Sequence, residues 1–303
     1  MNLFGLTLPQ LQALCLEEGF PKFTAKQLCD WLYKHRVLSI DDMTNLSLKI
    51  RSRLKEIASI ERSLPVLCQT STDGTKKYLF ATNADASNAI EAVLIPDGDR
   101  ATLCISSQKG CKMNCSFCMT GKQGFHGNLT AHQIINQVLS VPQSEALTNV
   151  VYMGMGEPMD NYEEVVKTIK ILTSSWGLAW SPKRITVSTI GRLRELRRLC
   201  EETSVHIAIS VHSPLHDQRE SLMPVERAFP IVDVMTLLSQ YDFAHQRRLS
   251  IEYIMWREVN DGLNHANALA KLLRGIPARV NLIRFHAIPG VDLKTASDRQ
   301  MIA

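Results

Sequence analysis

Residues 101–118 read ATLCISSQKGCKMNCSFC, a short apolar run that opens into a loop carrying Cys111, Cys115 and Cys118 within eight residues. This spacing does not describe a disulfide framework. Cysteines three or four apart on a short loop rarely meet the distance and dihedral demands of an S–S bond, and three of them leave one unpaired. Thiolates clustered this way hold a soft metal centre. A structural zinc site takes four closed ligands, commonly as two separated pairs, whereas an iron–sulfur cubane takes one thiolate per iron. Three thiolates leave one iron open, and an open iron can bind a substrate or cofactor directly. The competing reading is a zinc site completed by a distant Cys or His, with Cys104 the nearest alternative fourth ligand.

Outward from the cysteine loop, short β-rich apolar runs alternate with stretches of helical period, the pattern of a parallel sheet with crossover helices. The strand candidates are 101–107, 149–153, 184–189, 205–211, 249–255 and 279–285. Between them the expected helices start at Thr130, Asn161, Arg192, Ile231 and Gly262, and Val165, Val166, Ile169 and Leu172 trace one apolar face of the second. Six βα units fall short of a closed eight-fold barrel, so the expected fold class is α/β, a partial (βα)6 TIM-like barrel. Active sites of such barrels collect at the C-terminal strand ends, where the cysteine loop sits directly after the first strand.

Residues 1–75 differ in kind: three segments of helical period, broken at Pro21 and Ser39, predict a small N-terminal helical domain. Residues 76–100 read as a linker built on a β-hairpin, and 101–303 as the barrel. Ser297 looks like an N-cap of a helix that has only begun when the chain stops, so a last element is expected to be missing. A hydrophobic content of 45% and a charged content of 21% exclude disorder, and no apolar run approaches a membrane span. Eight cysteines without a secretory N-terminus imply a reducing cytoplasm, and a net charge of +4 permits a nucleic-acid partner without demanding one.

Other motifs gather at the same strand ends. MGMGEP, residues 153–158, follows the second strand; its glycines allow close backbone approach and Glu157 can accept hydrogen bonds from an ammonium or a ribose, or the segment is simply a tight turn. Ser188, Ser210 and His212 end the third and fourth strands, although a lone histidine is by itself better read as structural. Cys104 lies mid-strand, where an inert thiol is usual, and Glu91 interrupts AIEAVLIP either as an outward edge residue or as a carboxylate held at the site. Cys15, Cys29, Cys68 and Cys200 read as packing residues. Lys22, Lys26, Lys34 and Arg36 interleave with Phe23, Trp31 and Tyr33, and Lys49, Arg51, Arg53 and Lys55 follow; this composition suits phosphate contact plus base stacking, or equally a solvated helix face.

With CxxxCxxC after the first barrel strand and GEP after the second, the chain resembles the radical S-adenosylmethionine (SAM) superfamily, and within it the RlmN/Cfr family of RNA adenosine methyltransferases. The phrases DRATLCISSQKGCKMNCSFCMTGKQGF, NVVYMGMGEP, SPKRITVSTIG, AISVHSP, LMPV, IEYIM, VNDGLNHA and VNLI are similar to that family's pattern from the linker to the sixth strand, and the helical segment matches too. The resemblance implies a [4Fe-4S] cluster on Cys111, Cys115 and Cys118 whose open iron binds the amine and carboxylate of SAM. It implies SAM contacts at Gly156, Glu157, Ser188, Ser210, Val211 and His212, and at His286 where many relatives have Asn. It implies that Glu91 handles protons and that Cys104 is the resolving thiol that releases the product.

The implied reaction is methylation of C2 of an adenosine in 23S rRNA and in tRNA through a methylated-cysteine intermediate, fed by a low-potential electron donor of flavodoxin type and without a membrane partner. C2 of adenine carries no lone pair, so polar attack on the SAM methyl group is closed and a radical route is needed. The alternatives are a C8-specific Cfr-type enzyme, a radical SAM enzyme with a non-RNA substrate, and a non-catalytic metal-stabilised RNA-binding module. One departure stands out: the family's methyl-carrying cysteine belongs near the C-terminus, and no cysteine follows Cys200 here. The expectation is a truncated or incomplete chain, or else a naturally inactive relative, that binds cluster and SAM yet does not methylate RNA by the family route.

Overall fold

The structure is a computed structural model that describes residues 1–82, 89–245 and 247–302. Along the chain the elements begin with the helices α1 (Leu8–Glu17), α2 (Thr24–Cys29) and α3 (Leu48–Ile57), then the strands β1 (Leu67–Thr70), β2 (Lys76–Phe80), β3 (Ile90–Asp97) and β4 (Arg100–Cys104). Next come β5 (Gln108–Gly110), α4 (Met119–Lys122), β6 (Phe125–Asn128), α5 (Ala131–Ser140), β7 (Asn149–Tyr152) and α6 (Tyr162–Thr173). The remainder runs β8 (Ile185–Thr189), α7 (Leu193–Glu202), β9 (His206–Ser210), α8 (His216–Leu222), α9 (Ile231–Leu238), β10 (Leu249–Met255), α10 (Leu263–Leu272), β11 (Ala278–Arg284) and α11 (Asp298–Ile302). These resolve into two compact units: Met1–Ser107 with Asn128–Val150 and Asn161–Arg184, and Gln108–Gly127 with Val151–Asp160 and Ile185–Ala303.

In the first unit, β1 to β4 pair antiparallel in chain order. The expected hairpin is the β2–β3 pair; its connection, residues 83–88, falls outside the described residues. Leu3, Phe4, Leu11, Leu28, Leu32 and Tyr33 are buried among the N-terminal helices. Cys15 and Cys29 are buried as well, while Cys68, expected to pack, is exposed on β1. Helix α5 starts where the sequence places it: Thr130 Oγ1 accepts from the Gln133 backbone N–H at 3.3 Å, and Gln133 Oε1 accepts from the Thr130 N–H at 3.1 Å. Asn161 precedes α6 but does not cap it with its side chain. Its amide donates instead to the carbonyls of Ser107 and Leu129 at 2.8 and 2.7 Å, because two buried loop oxygens need a donor there.

Three of the eight basic residues singled out in this unit are held in ion pairs. Lys34 bonds Asp30, Arg53 bonds Glu18 and Glu56, and Lys55 bonds Asp41. Tyr33 is fully buried, its hydroxyl donating to the Leu6 carbonyl at 2.5 Å, so it offers no stacking face; Phe23 remains 63% exposed beside Lys22 and Lys26.

In the second unit, β8, β9, β10 and β11 pair parallel in chain order. β9 and β10 are almost wholly buried, as interior parallel strands covered on both faces are. β11 is the exposed edge. Helices α7, α8, α9 and α10 lie between these strands in the chain, completing the alternation expected from the sequence. Ser297 does cap α11, its hydroxyl accepting from the Gln300 N–H at 3.3 Å. Among the described residues no helix is long and apolar enough to cross a membrane.

Candidate active site

A pocket of about 270 Å³ opens in the second unit, and every residue lining it belongs to that unit. Cys111, Cys115 and Cys118 form one part of its wall; Gly156 and Glu157 from the loop after β7, Ser188 from β8, Ser210 and His212 from the end of β9, and Glu252 and Ile254 from β10 form others.

The cysteine loop is pinned by its own backbone. The Cys111 N–H donates to the Gly124 carbonyl at 2.9 Å, that of Cys118 to Cys115 at 3.1 Å, and that of Ser116 to Leu222 at 2.9 Å. Gly110 turns at φ 72°, and a Cβ there would stand 1.7 Å from the Gly124 oxygen, so only glycine admits this closure. Cys115 packs in an apolar cluster with Ile190, Met223, Trp256 and Phe285, and Phe117 lies tilted against Trp256 with ring centroids 4.9 Å apart. Burial pushes the Cys111 thiol up to about 11 and the Cys115 thiol up to about 12. Without a cation both stay protonated at neutral pH.

Glu157 is a buried carboxylate of the pocket. It accepts from the Thr189 hydroxyl at 2.5 Å, from the Ile190 N–H at 3.1 Å and from the Met159 N–H at 3.1 Å. Burial raises its pKa to about 7, with those three donors working against the rise. Gly156 before it adopts φ 98°, and a Cβ there would lie 2.5 Å from the Gln108 side chain, whose Oε1 accepts from the Glu157 N–H at 2.9 Å.

His212 is held from two sides. Its Nδ1 accepts from the Ile254 N–H at 3.1 Å, and its carbonyl accepts from the Asn260 amide at 2.7 Å. Burial, with the Arg219 charge adding to it, drives the imidazole down to about 3, so the ring is neutral and carries its proton on Nε2. Arg219 itself is fully buried; its guanidinium donates to the carbonyls of Val211 at 3.1 Å, Ser210 at 3.0 Å and Ile190 at 3.4 Å, and pairs with the buried Glu226. One cation therefore ties together the chain after β8 and the end of β9, where pocket residues lie.

Comparison with known proteins agrees with this geometry. The profile described as "Radical SAM superfamily" matches residues 105–268, and "Ribosomal RNA large subunit methyltransferase N-terminal domain" matches residues 1–60. The chain is 57% identical to the "Probable dual-specificity RNA methyltransferase RlmN" of Phocaeicola vulgatus, over 99% of this chain and 86% of that protein. The chain belongs to the RlmN family of the radical SAM superfamily. A "Dual-specificity RNA methyltransferase RlmN" from Alcanivorax borkumensis is 40% identical over 95% of this chain and 78% of that protein. The crystal structure of a radical SAM methyltransferase from Sphaerobacter thermophilus superposes with a TM-score of 0.90 at 36% identity, covering 100% of this chain and 90% of that one. The fold is thus the partial α/β barrel of radical SAM proteins, and the chain is a SAM-dependent radical enzyme.

Not every residue expected from the RlmN-family resemblance reaches the pocket wall. Gly156, Glu157, Ser188, Ser210 and His212 do; Val211 is fully buried behind it, its N–H donating to the Glu252 carbonyl at 3.1 Å, and His286 is exposed after β11. Glu91 and Cys104 lie in the first unit, on β3 and at the end of β4. Cys104 stands opposite Val93, and Glu91 precedes Val93 by two residues, so both side chains project from one face of the ladder. Glu91 pairs there with Lys77 at 3.2 Å.

Sequence reading of this RlmN-family chain missed Arg219, Asn260, Gln108, Thr189 and Glu252. Glu252 had a legible signal, a lone carboxylate in the apolar run LSIEYIM. Arg219 had none, since HDQRESL reads as an ordinary polar helix.

Proposed function

We propose that the pocket binds a [4Fe-4S] cluster on Cys111, Cys115 and Cys118 with SAM beside it, in the service of methylating C2 of an adenosine in 23S rRNA and in tRNA. The observation that carries this reading is the presence of three thiols from one short loop, a buried carboxylate, two hydroxyls and a neutral imidazole on the wall of a single pocket. Among the described residues no three donors converge as the ligands of one ion would. A cubane makes a different demand, one thiolate to each of three irons, and side chains spread along a pocket wall fit it better than they fit zinc. The apolar packing around Cys115 suits a centre whose potential depends on exclusion of water.

When bound, cluster and cofactor together supply one-electron cleavage of a sulfonium. The protein's own groups do the positioning. Glu157, once ionised, accepts from the ammonium of the amino acid end; Gly156 brings the backbone close enough for it to do so. His212 offers its Nε2–H as a donor, while Ser188 and Ser210 offer hydroxyls. Glu91 is proposed to handle the proton that leaves the base and Cys104 to resolve the covalent adduct, roles supported by their shared face on the β3–β4 ladder.

RNA substrates are proposed from the names of the relatives, and an electron donor of flavodoxin type from the demand for a low-potential electron. Eight free cysteines fit a reducing cytoplasm. Anaerobic reconstitution tests the reading. The expected product is a brown protein carrying about four irons per chain, which on reduction yields 5′-deoxyadenosine from SAM. A colourless zinc protein that leaves SAM intact overturns it. With a C-terminal methyl-carrying cysteine supplied, since no cysteine follows Cys200 here, digestion of treated rRNA and tRNA and chromatography against 2-methyladenosine and 8-methyladenosine standards separates the C2 from the C8 reaction.

A further inference from the structure

The roles assigned above leave one pocket carboxylate unused. Glu252 sits in the middle of β10, is 7% exposed, and lines the pocket with the three cysteines. Its neighbours in register are Ser210 on β9 and Asn281 on β11, which makes a polar row across three parallel strands. Ile254, two residues further along β10, pairs in register with Ile283, and both line the pocket, so an apolar row stands nearer the C-terminal strand ends than the polar one. The polar row is the deeper of the two.

Glu252 is under-supplied with donors. The Asn281 amide donates to its Oε2 at 2.7 Å, and among the described residues no other side-chain donor reaches the carboxylate. Burial holds its pKa above the ordinary carboxylate range, with Asn281 acting against the rise. A carboxylate has about four acceptor sites, and a buried one normally finds partners for them. Packing alone does not explain the residue, since leucine or methionine would fill the strand at no desolvation cost.

We propose that Glu252 recognises the ribose of the adenosyl cofactor, its remaining oxygen accepting from a ribose hydroxyl while the Ser210 hydroxyl lies beside it. This rests on the pocket being a SAM site. The amino acid end of SAM belongs at the mouth, where the cysteine loop and Glu157 are, so the nucleoside end reaches down the strands, past Ile254 and Ile283, to the polar row. Carboxylates accept from ribose hydroxyls in dinucleotide sites for the same reason, that two hydroxyl donors need a strong acceptor in a dry place.

The test is cofactor binding by the reconstituted protein, without reductant, measured by titration calorimetry with SAM and with its 2′-deoxy and 3′-deoxy analogues. Glu252→Gln turns an amide N–H toward the ribose once its oxygen is engaged by Asn281, so the hydroxyl loses its charge-assisted bond to a carboxylate and keeps at most a neutral one. The variant is expected to bind SAM about tenfold to a hundredfold more weakly, with iron content and melting temperature unchanged. At least one deoxy analogue then binds wild type and variant equally. Glu252→Asp, which keeps the charge but shortens the reach, falls between. Equal SAM affinity in wild type and Glu252→Gln overturns the proposal, as does a loss of the same size for SAM and both analogues. If wild-type protein with full iron does not bind SAM at all, the SAM reading fails with it, and that result is distinct from the other two.

Discussion

His212 Nδ1 accepts the backbone N–H of Ile254 at 3.1 Å, and this single bond fixes the tautomer of the imidazole. With Nδ1 occupied as an acceptor, the neutral ring carries its proton on Nε2. His212 also sits at φ 55°, a left-handed conformation uncommon for a residue with a Cβ. Asn260 holds that turn by bridging the carbonyls of His212 and Ile254, each at 2.7 Å. The strained backbone and the fixed tautomer are two aspects of one local design.

A pH dependence of stability follows from it. His212 titrates near 3 in the folded chain and near 6.5 when unfolded. Between those values the unfolded chain binds the extra proton, so stability is present above pH 6.5 and is lost as pH falls. The slope is at most about 1.4 kcal/mol per pH unit from this group. Urea unfolding of wild type and His212→Gln between pH 5 and 8 checks it: the wild-type loss below pH 6.5 is expected to be shallower in the variant. Parallel profiles refute the assignment.

Glu157 carries the opposite sign, and its effect shows in binding. At about 7 it is mostly protonated in slightly acid solution. A cofactor ammonium requires the ionised form, so SAM affinity is expected to tighten as pH rises through 7 and then level off. Glu157→Gln removes the dependence and lowers affinity at pH 8 by about tenfold or more. Calorimetric titrations at pH 6, 7 and 8 decide the matter, and a flat wild-type profile excludes this role for Glu157.

How far the sequence revealed this site depends on what kind of group is involved. The Cys111–Cys118 loop and the strands around it were legible because thiol spacing and apolar alternation are local properties, and all six expected strands occur within two or three residues of their expected ends. Glu157 was legible from its place after a strand and two glycines. Arg219 was not, because its function lies in carbonyls at Ser210, Val211 and Ile190, eight or more residues away in the chain. Helix α8 was missed for a related reason, since HDQRESL is short and polar and is buried only through Arg219 and Leu222. One N-terminal aromatic misled in the other direction: Tyr33 has the composition of a stacking residue and the position of a core one, while Phe23 stays exposed.

Gly156→Ala is expected to disable the pocket through its backbone. The new Cβ would stand 2.5 Å from Gln108 Cβ and 2.7 Å from its Cγ, at a φ that disfavours any side chain. Stability is expected to fall by about 1–3 kcal/mol, and SAM affinity to fall with it as Glu157 is displaced. Adding Gln108→Gly relieves the clash but not the dihedral, so partial recovery of stability in the double variant, read by chemical denaturation, is the expected signature. Full tolerance of the single change refutes the close approach.

Arg219 and Glu226 test whether the strand ends are held electrostatically. Both side chains are at most 1% exposed, and each serves other groups: Arg219 caps three carbonyls, and Glu226 accepts from the Ile231 N–H at 3.1 Å. Removing one partner leaves an uncompensated buried charge, so Arg219→Met is expected to cost about 3–5 kcal/mol. Removing both charges with Arg219→Met and Glu226→Gln together should cost less than the sum of the single changes, because the desolvation penalty of each ion is also removed. The carbonyls of Ser210, Val211 and Ile190 stay uncapped in the double variant, so a residual loss persists, and it should appear as weakened SAM binding by a protein that still unfolds in one transition. Additive single and double effects would mean that the two charges do not act as a pair, and a double variant with wild-type SAM affinity would mean that the carbonyl caps do not shape the pocket.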